Sequence, residues 1–194
     1  MNNRGIIIIG KRDSGKSTFL FNKFVDEYAK GKRILVIDSA AEHIDKSLIY
    51  KIRSHFENEF LWISSCSKHE ITFPFCSEND YPVTLVKGND GKCRIFLADT
   101  AKYLENGYNY PAGEERQKER VFYQKLSVQI IQQLSSMVDV ILMDEIELFP
   151  EAKPIIRKAL SEGVLIYDAL HEEKSLSGLR DMFDVVFREQ FYGK

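Results

Sequence analysis

Eight residues near the amino terminus, Gly10-Lys11-Arg12-Asp13-Ser14-Gly15-Lys16-Ser17, are the part of the chain whose types and spacing most clearly imply chemistry. Two glycines let the backbone curl until several N–H groups point inward at a β-phosphate, and a helix N-terminus behind them adds positive dipole. Lys16 is placed to bridge β- and γ-phosphates, and the Ser17 hydroxyl to hold Mg²⁺. The expected nucleotide-binding stretch runs from Gly10 through Thr18. The plain alternative is a glycine-rich turn between a buried strand and a helix. Far downstream, Val140-Ile141-Leu142-Met143-Asp144-Glu145 delivers two carboxylates to the end of an apolar run. Asp144 suits metal binding through water, and Glu145 suits activation of a water for in-line attack on a γ-phosphate. The bland alternative is an acidic pair capping the next helix.

Other polar residues are less distinctive. His171 follows the apolar run Val164 to Ala169 and can sense a γ-phosphate or the attacking water; Asp168 is its rival, and a surface or capping histidine is the plain alternative. Arg116 and Arg120 stand one helical turn apart, where they can serve a neighbouring subunit as arginine fingers, although runs such as Glu114 to Arg120 are commonly a solvated helix face. Tyr103, Tyr108 and Tyr110 can stack on bases or pack a loop against the domain edge.

These residues need elements to position them. Ile6 to Ile9 reads as a buried strand before the loop, and Phe19, Leu20, Phe24, Val25 and Tyr28 form one face of a helix ending near Gly31. Arg33 to Asp38 is a near-continuous apolar run closed by a carboxylate, as in a strand covered on both faces. A helix is expected over roughly residues 43 to 57 and a further strand over Phe60 to Ile63. Val83 to Lys87 and Arg94 to Ala98, joined by Gly88-Asn89-Asp90-Gly91, predict a β-hairpin decorating the core sheet. A long helix is expected from Glu114 to about Met137, then a strand from Val138 to Met143. A helix after Pro150 stops at Gly163, and Val164 to Ala169 is a fourth core strand. Ser175 to Met182 predicts a short helix and Asp184 to Arg188 the last strand. Five strands alternating with helices predict an α/β fold with a doubly wound, mainly parallel sheet.

The chain has 194 residues, enough for one α/β domain and short for two. The expectation is a single domain over 1–194 with an insertion at about 66–120. A formal charge of −2, with 27 basic residues scattered among 29 acidic ones, announces no polyanion partner, though a local basic strip or the pore of a ring can still bind DNA. No apolar run is long enough to span a bilayer, and no signal peptide precedes the first strand, so a cytoplasmic protein without a membrane partner is expected. Cys66, Cys76 and Cys93 lack paired spacing, which argues against a zinc site or disulfide framework.

Taken together, these segments resemble the additional-strand, catalytic-glutamate division of P-loop NTPases, and within it the HerA/FtsK superfamily, which includes viral packaging and Zot-like ATPases. Gly10 to Ser17 is similar to the Walker A motif. Ile37-Asp38-Ser39-Ala40-Ala41-Glu42 is similar to the family's strand followed by Asp-x-x-x-Glu, and Asp144-Glu145-Ile146-Glu147-Leu148-Phe149-Pro150 resembles its Walker B strand with a trailing Phe-Pro. His171 stands where the family usually has glutamine. The resemblance implies a three-layer fold with strand order 5-1-4-3-2 over the five core strands, and Mg²⁺-dependent ATP binding and hydrolysis by a homo-oligomeric motor or switch acting on nucleic acid. Lys16, Glu145 and His171 would be its catalytic residues, and Ser17 and Asp144 its metal ligands. A second resemblance is to small nucleoside triphosphatases whose Walker B reads Asp-Glu-Ile-Gly, with a Met-Glu-Leu-Phe segment and a later strand ending in His. Phe187-Arg188-Glu189-Gln190 replaces that family's closing Asn-Arg-Asp. A stand-alone nucleoside triphosphatase, a nucleotide or small-molecule kinase, and an ATP-gated regulatory subunit of a partner protein are the alternatives.

Overall fold

A computed structural model of the chain describes residues 5–11, 13–38, 48–56, 61–63, 83–87, 93–99, 125, 127–144, 151–171 and 178–188, with backbone alone for 61–63, 83–87, 93, 99 and 188. Eight strands form one sheet: β1 (Gly5–Gly10), β2 (Ile34–Asp38), β3 (Leu61–Ile63), β4 (Val83–Lys87), β5 (Cys93–Asp99), β6 (Val140–Asp144), β7 (Leu165–Leu170) and β8 (Phe183–Arg188). Their spatial order is β3-β4-β5-β2-β6-β7-β1-β8. The six from β5 to β8 run parallel, and β3 and β4 are antiparallel additions beyond β5. Helices α1 (Lys16–Ala29), α2 (Leu48–Phe56), α3 (residues 127–134) and α4 (Lys153–Ser161) flank the sheet.

Side-chain alternation in the strands divides the core in two. Ile7, Ile9, Leu35, Ile37, Ile141 and Met143 pack with α3 and α4 on one face. Ile8, Ile34, Val36, Leu142, Tyr167 and Ala169 pack with α1 and α2 on the other. Strands buried on both faces must be apolar at every position, which is why β2 and β6 read as unbroken hydrophobic runs. Both α1 and α4 end in a glycine with positive φ. Gly31 N–H reaches Tyr28 O and Lys32 N–H reaches Glu27 O, and Gly163 and Val164 make the equivalent bonds to Leu160 and Ala159. These paired bonds satisfy carbonyls that the helix itself leaves open, and they turn the chain back toward the sheet.

Two expectations change. The five expected strands keep the relative order 5-1-4-3-2, as β8-β1-β7-β6-β2, and a sixth parallel strand lies beyond β2, so that the six, numbered along the chain among themselves, stand in the order 3-2-4-5-1-6. The added strand is β5. Its antiparallel pairing with β4 makes the expected hairpin, but it also lies parallel to β2 with Ile34 opposite Ile95 and Asp38 opposite Asp99. Ile95, Phe96, Leu97 and Ala98 are all buried, so this segment belongs to the core sheet and does not merely decorate it. The second change concerns Ser175 to Met182. Its described part is a turn at 178–179, with Gly178 at φ 81°, followed by a single 3₁₀ turn Arg180–Met182. Glycine at positive φ interrupts an α-helix there. Elsewhere the observed bounds differ by a residue, β7 running to Leu170 and β8 beginning at Phe183, and residues 43–47 of the helix expected over 43 to 57 lie outside the described residues. The charged run 114–120, the tyrosines at 103, 108 and 110, and Cys66 and Cys76 lie outside the described residues.

Candidate functional site

The loop after β1 is built by two residues with left-handed backbone, Asp13 (φ 60°) and Gly15 (φ 86°). Ser14 N–H closes a tight turn on Lys11 O at 3.2 Å, and Phe19 N–H starts the α1 ladder on Gly15 O at 3.0 Å. The N–H groups of Gly15, Lys16, Ser17 and Thr18 precede that ladder. No side-chain hydrogen bond caps the start of α1, and its first turn carries no acidic residue of its own to complement the positive end of the helix dipole. Ser14 is 6% exposed and its Oγ is buried without a hydrogen-bond partner among the described residues. A buried hydroxyl left in that condition costs free energy unless something supplies a partner.

Lys16 is also 6% exposed. Its ammonium donates to Gly10 O at 3.0 Å and Lys11 O at 3.1 Å, and stands 3.5 Å from His171 Nδ1. Sheet register explains how a residue 155 positions away reaches it. β7 lies between β1 and β6, with Ile9 opposite Leu170, so the first residue beyond β7 is level with the start of the loop.

Asp144 ends β6 on the face that carries α1 and is 3% exposed. It lies opposite Ala169, which in turn lies opposite Ile8, so a single strand separates it from β1, a lateral step of about 10 Å at ordinary strand spacing. On its other side Asp38 is in register, and Asp99 follows on β5, so three aspartates end adjacent parallel strands at one level. Asp38 accepts the N–H of Ile49 at 3.2 Å, tying the first turn of α2 to this edge, where a carboxylate also favours the helix dipole. That anchoring role was not evident in the sequence; its only trace there is a carboxylate closing an apolar run.

Asp168 faces the opposite side of the sheet and is completely buried. Its Oδ1 accepts the Ala169 N–H at 2.8 Å, and Oδ2 has no partner among the described residues. Burial pushes its carboxyl well above the usual carboxylate range; the Ala169 bond opposes this and the charge of Asp144 adds to it. Deeper along α1, buried Glu27 accepts from Tyr167 Oη at 3.2 Å and from Lys30 Nζ at 2.7 Å, pinning the helix to β7. Burial first, and then the Glu27 charge, push the Tyr167 hydroxyl up to about 12.

Gly10, Lys11, Asp13, Ser14, Gly15, Lys16, Ser17 and Thr18 thus form one turn and helix start, and the fold brings His171 to it and sets Asp144 at the same sheet edge. Arg12 and Glu145 lie outside the described residues. An uncapped helix start, a buried ammonium and an orphaned buried hydroxyl suit a polyphosphate. No protein-family model and no curated protein matches the chain. Among the described residues no helix is long and apolar enough to cross a membrane.

Proposed function

We propose that the chain is a Mg²⁺-dependent P-loop ATPase of the HerA/FtsK kind, binding and hydrolysing ATP as an oligomeric motor or switch that acts on nucleic acid. The observation that carries this reading is the Gly10–Ser17 turn with buried Lys16 on loop carbonyls, at the sheet edge where Asp144 ends its strand. In this reading the backbone N–H groups ahead of the α1 ladder and the Lys16 ammonium bind the phosphates. Ser17 and Asp144 would hold Mg²⁺, which would supply neutralising charge to the phosphates. Glu145 takes a proton from the attacking water, and His171 lies at the γ-phosphate end. The stand-alone nucleoside triphosphatase is the second reading, favoured by the histidine that follows β7 beside the loop.

Phosphate release from ATP with Mg²⁺, measured for wild type, Lys16→Ala and Glu145→Gln, is the test. Lys16→Ala should lose nucleotide binding, and Glu145→Gln should keep binding while losing turnover. Undiminished hydrolysis in Glu145→Gln removes that residue's role. Stimulation by DNA with ATP selectivity and a ring-sized species in solution supports the motor. A monomer indifferent to DNA and to base identity selects the second reading.

A further inference from the structure

Three partners of Lys16 among the described residues bear on more than phosphate binding. An ammonium carries three N–H donors and no acceptor, so each group it meets must present a lone pair. Gly10 O and Lys11 O do so at 3.0 and 3.1 Å, and the third group is His171 Nδ1 at 3.5 Å. To accept from Lys16, Nδ1 must be the unprotonated ring nitrogen, which puts the proton of a neutral imidazole on Nε2. These three partners come from the protein, so a phosphate oxygen that takes one of these N–H groups displaces one of them. The two carbonyls belong to the loop that phosphate itself would occupy. His171 belongs to another strand, is exposed, and reaches Lys16 only because Leu170 pairs with Ile9.

We propose that His171 is a positioning residue that latches Lys16, so that an incoming di- or triphosphate must displace imidazole from the lysine before it binds. The inference rests on the phosphate-binding reading of the loop and deepens it by naming what regulates occupancy. Its consequence has a sign. A histidine that only contacts a γ-phosphate leaves diphosphate affinity untouched when removed, or weakens binding of the triphosphate. A latch competes with the ligand for Lys16, so its removal tightens binding of every phosphate ligand, including those with no γ-phosphate. A contact to a charged group that is long and open to water corresponds to about 3- to 10-fold in affinity.

The experiment measures the dissociation constants of pyrophosphate and ADP by calorimetry, without Mg²⁺, for wild type, His171→Ala and His171→Asn. His171→Ala should bind both ligands several-fold more tightly. His171→Asn keeps an acceptor oxygen near the Nδ1 position and should stay close to wild type. In the ligand-free protein, imidazole ¹⁵N shifts should report Nδ1 without a proton, and that signal should move when pyrophosphate is added. Unchanged or weaker ADP binding in His171→Ala overturns the latch while the phosphate-binding reading stands. A protonated Nδ1 in the ligand-free protein does the same. A wild type that binds neither pyrophosphate nor ADP overturns both.

Discussion

Replacing Asp168 with asparagine should change how the stability of the protein depends on pH, and the structure sets both sign and slope. The carboxyl is completely buried in β7, Oδ1 accepts the Ala169 N–H at 2.8 Å, and Oδ2 has no partner among the described residues. Burial raises its pKa well above the ordinary value, with Asp144 adding to the rise. In the unfolded chain an aspartate titrates near 3.9, so above that pH the folded protein holds a proton that the unfolded chain has released. The stability contributed by protonated Asp168 is full below the unfolded pKa and is lost as pH rises through the folded one. Within that window the slope is about 1.4 kcal/mol per pH unit. Asparagine keeps the acceptor for Ala169 but cannot titrate, and it brings two N–H donors in place of one O–H, a pH-independent loss of about 1–2 kcal/mol. Urea unfolding followed by far-UV circular dichroism at about pH 4.5, 5 and 5.5 tests this, since that interval lies just above the unfolded pKa. The stability of wild type minus that of Asp168→Asn should fall steadily as the pH rises across that interval. Parallel curves for the two proteins would refute the claim that the folded state keeps this carboxyl protonated.

Three further outcomes follow from the same contacts. Tyr167→Phe removes the hydroxyl that Glu27 accepts and should cost about 1–2 kcal/mol; because the folded pKa is raised to about 12, wild type should also lose stability as pH climbs from 10 through 12, and a phenolate titration at 295 nm should lack that late-ionising tyrosine in the variant. Asp139 accepts the Arg33 backbone N–H at 2.8 Å, and that bond, aided by the guanidinium, holds its carboxyl below the usual range. Asp139→Asn should cost about 1 kcal/mol near neutrality and flatten the loss of stability as pH falls through the folded pKa, read by unfolding at pH 7 and in mild acid. Gly5→Ala would drive a methyl group into the ring of buried Phe183 where β1 meets β8, and should destabilise by about 1–3 kcal/mol in thermal or urea unfolding.

Most core elements were readable before any coordinates, because each depends on neighbours in sequence. The loop sits between Ile6–Ile9 and an amphipathic helix, and Gly31 and Gly163 stop helices at positive φ, where other residues are strained. The unbroken apolar runs of β2 and β6 announce burial on both faces. The misread elements are those whose identity depends on distant partners. The stretch 93–99 carries the alternation and turn residues of a hairpin, and nothing local says that its far edge pairs with β2. Arg180–Met182 is too short, and follows Gly178 too closely, for helical periodicity to decide it.

At the site the division is the same. Spacing and flanking pattern together singled out Gly10 to Thr18 for phosphate and Asp144 for a strand tip, since backbone curl, helix start and strand end are properties of contiguous chain. Only the tertiary structure decided that Lys16 rests on His171, that Tyr167 holds Glu27 across 140 residues, and that Asp38 anchors α2 beside Asp144. It alone put Asp168 on the far face with an oxygen unsatisfied among the described residues. The physical reason is register: a parallel sheet joins strands remote in sequence, and a shift of one residue in β7 would exchange the faces of Asp168 and His171 while leaving the sequence pattern as it is.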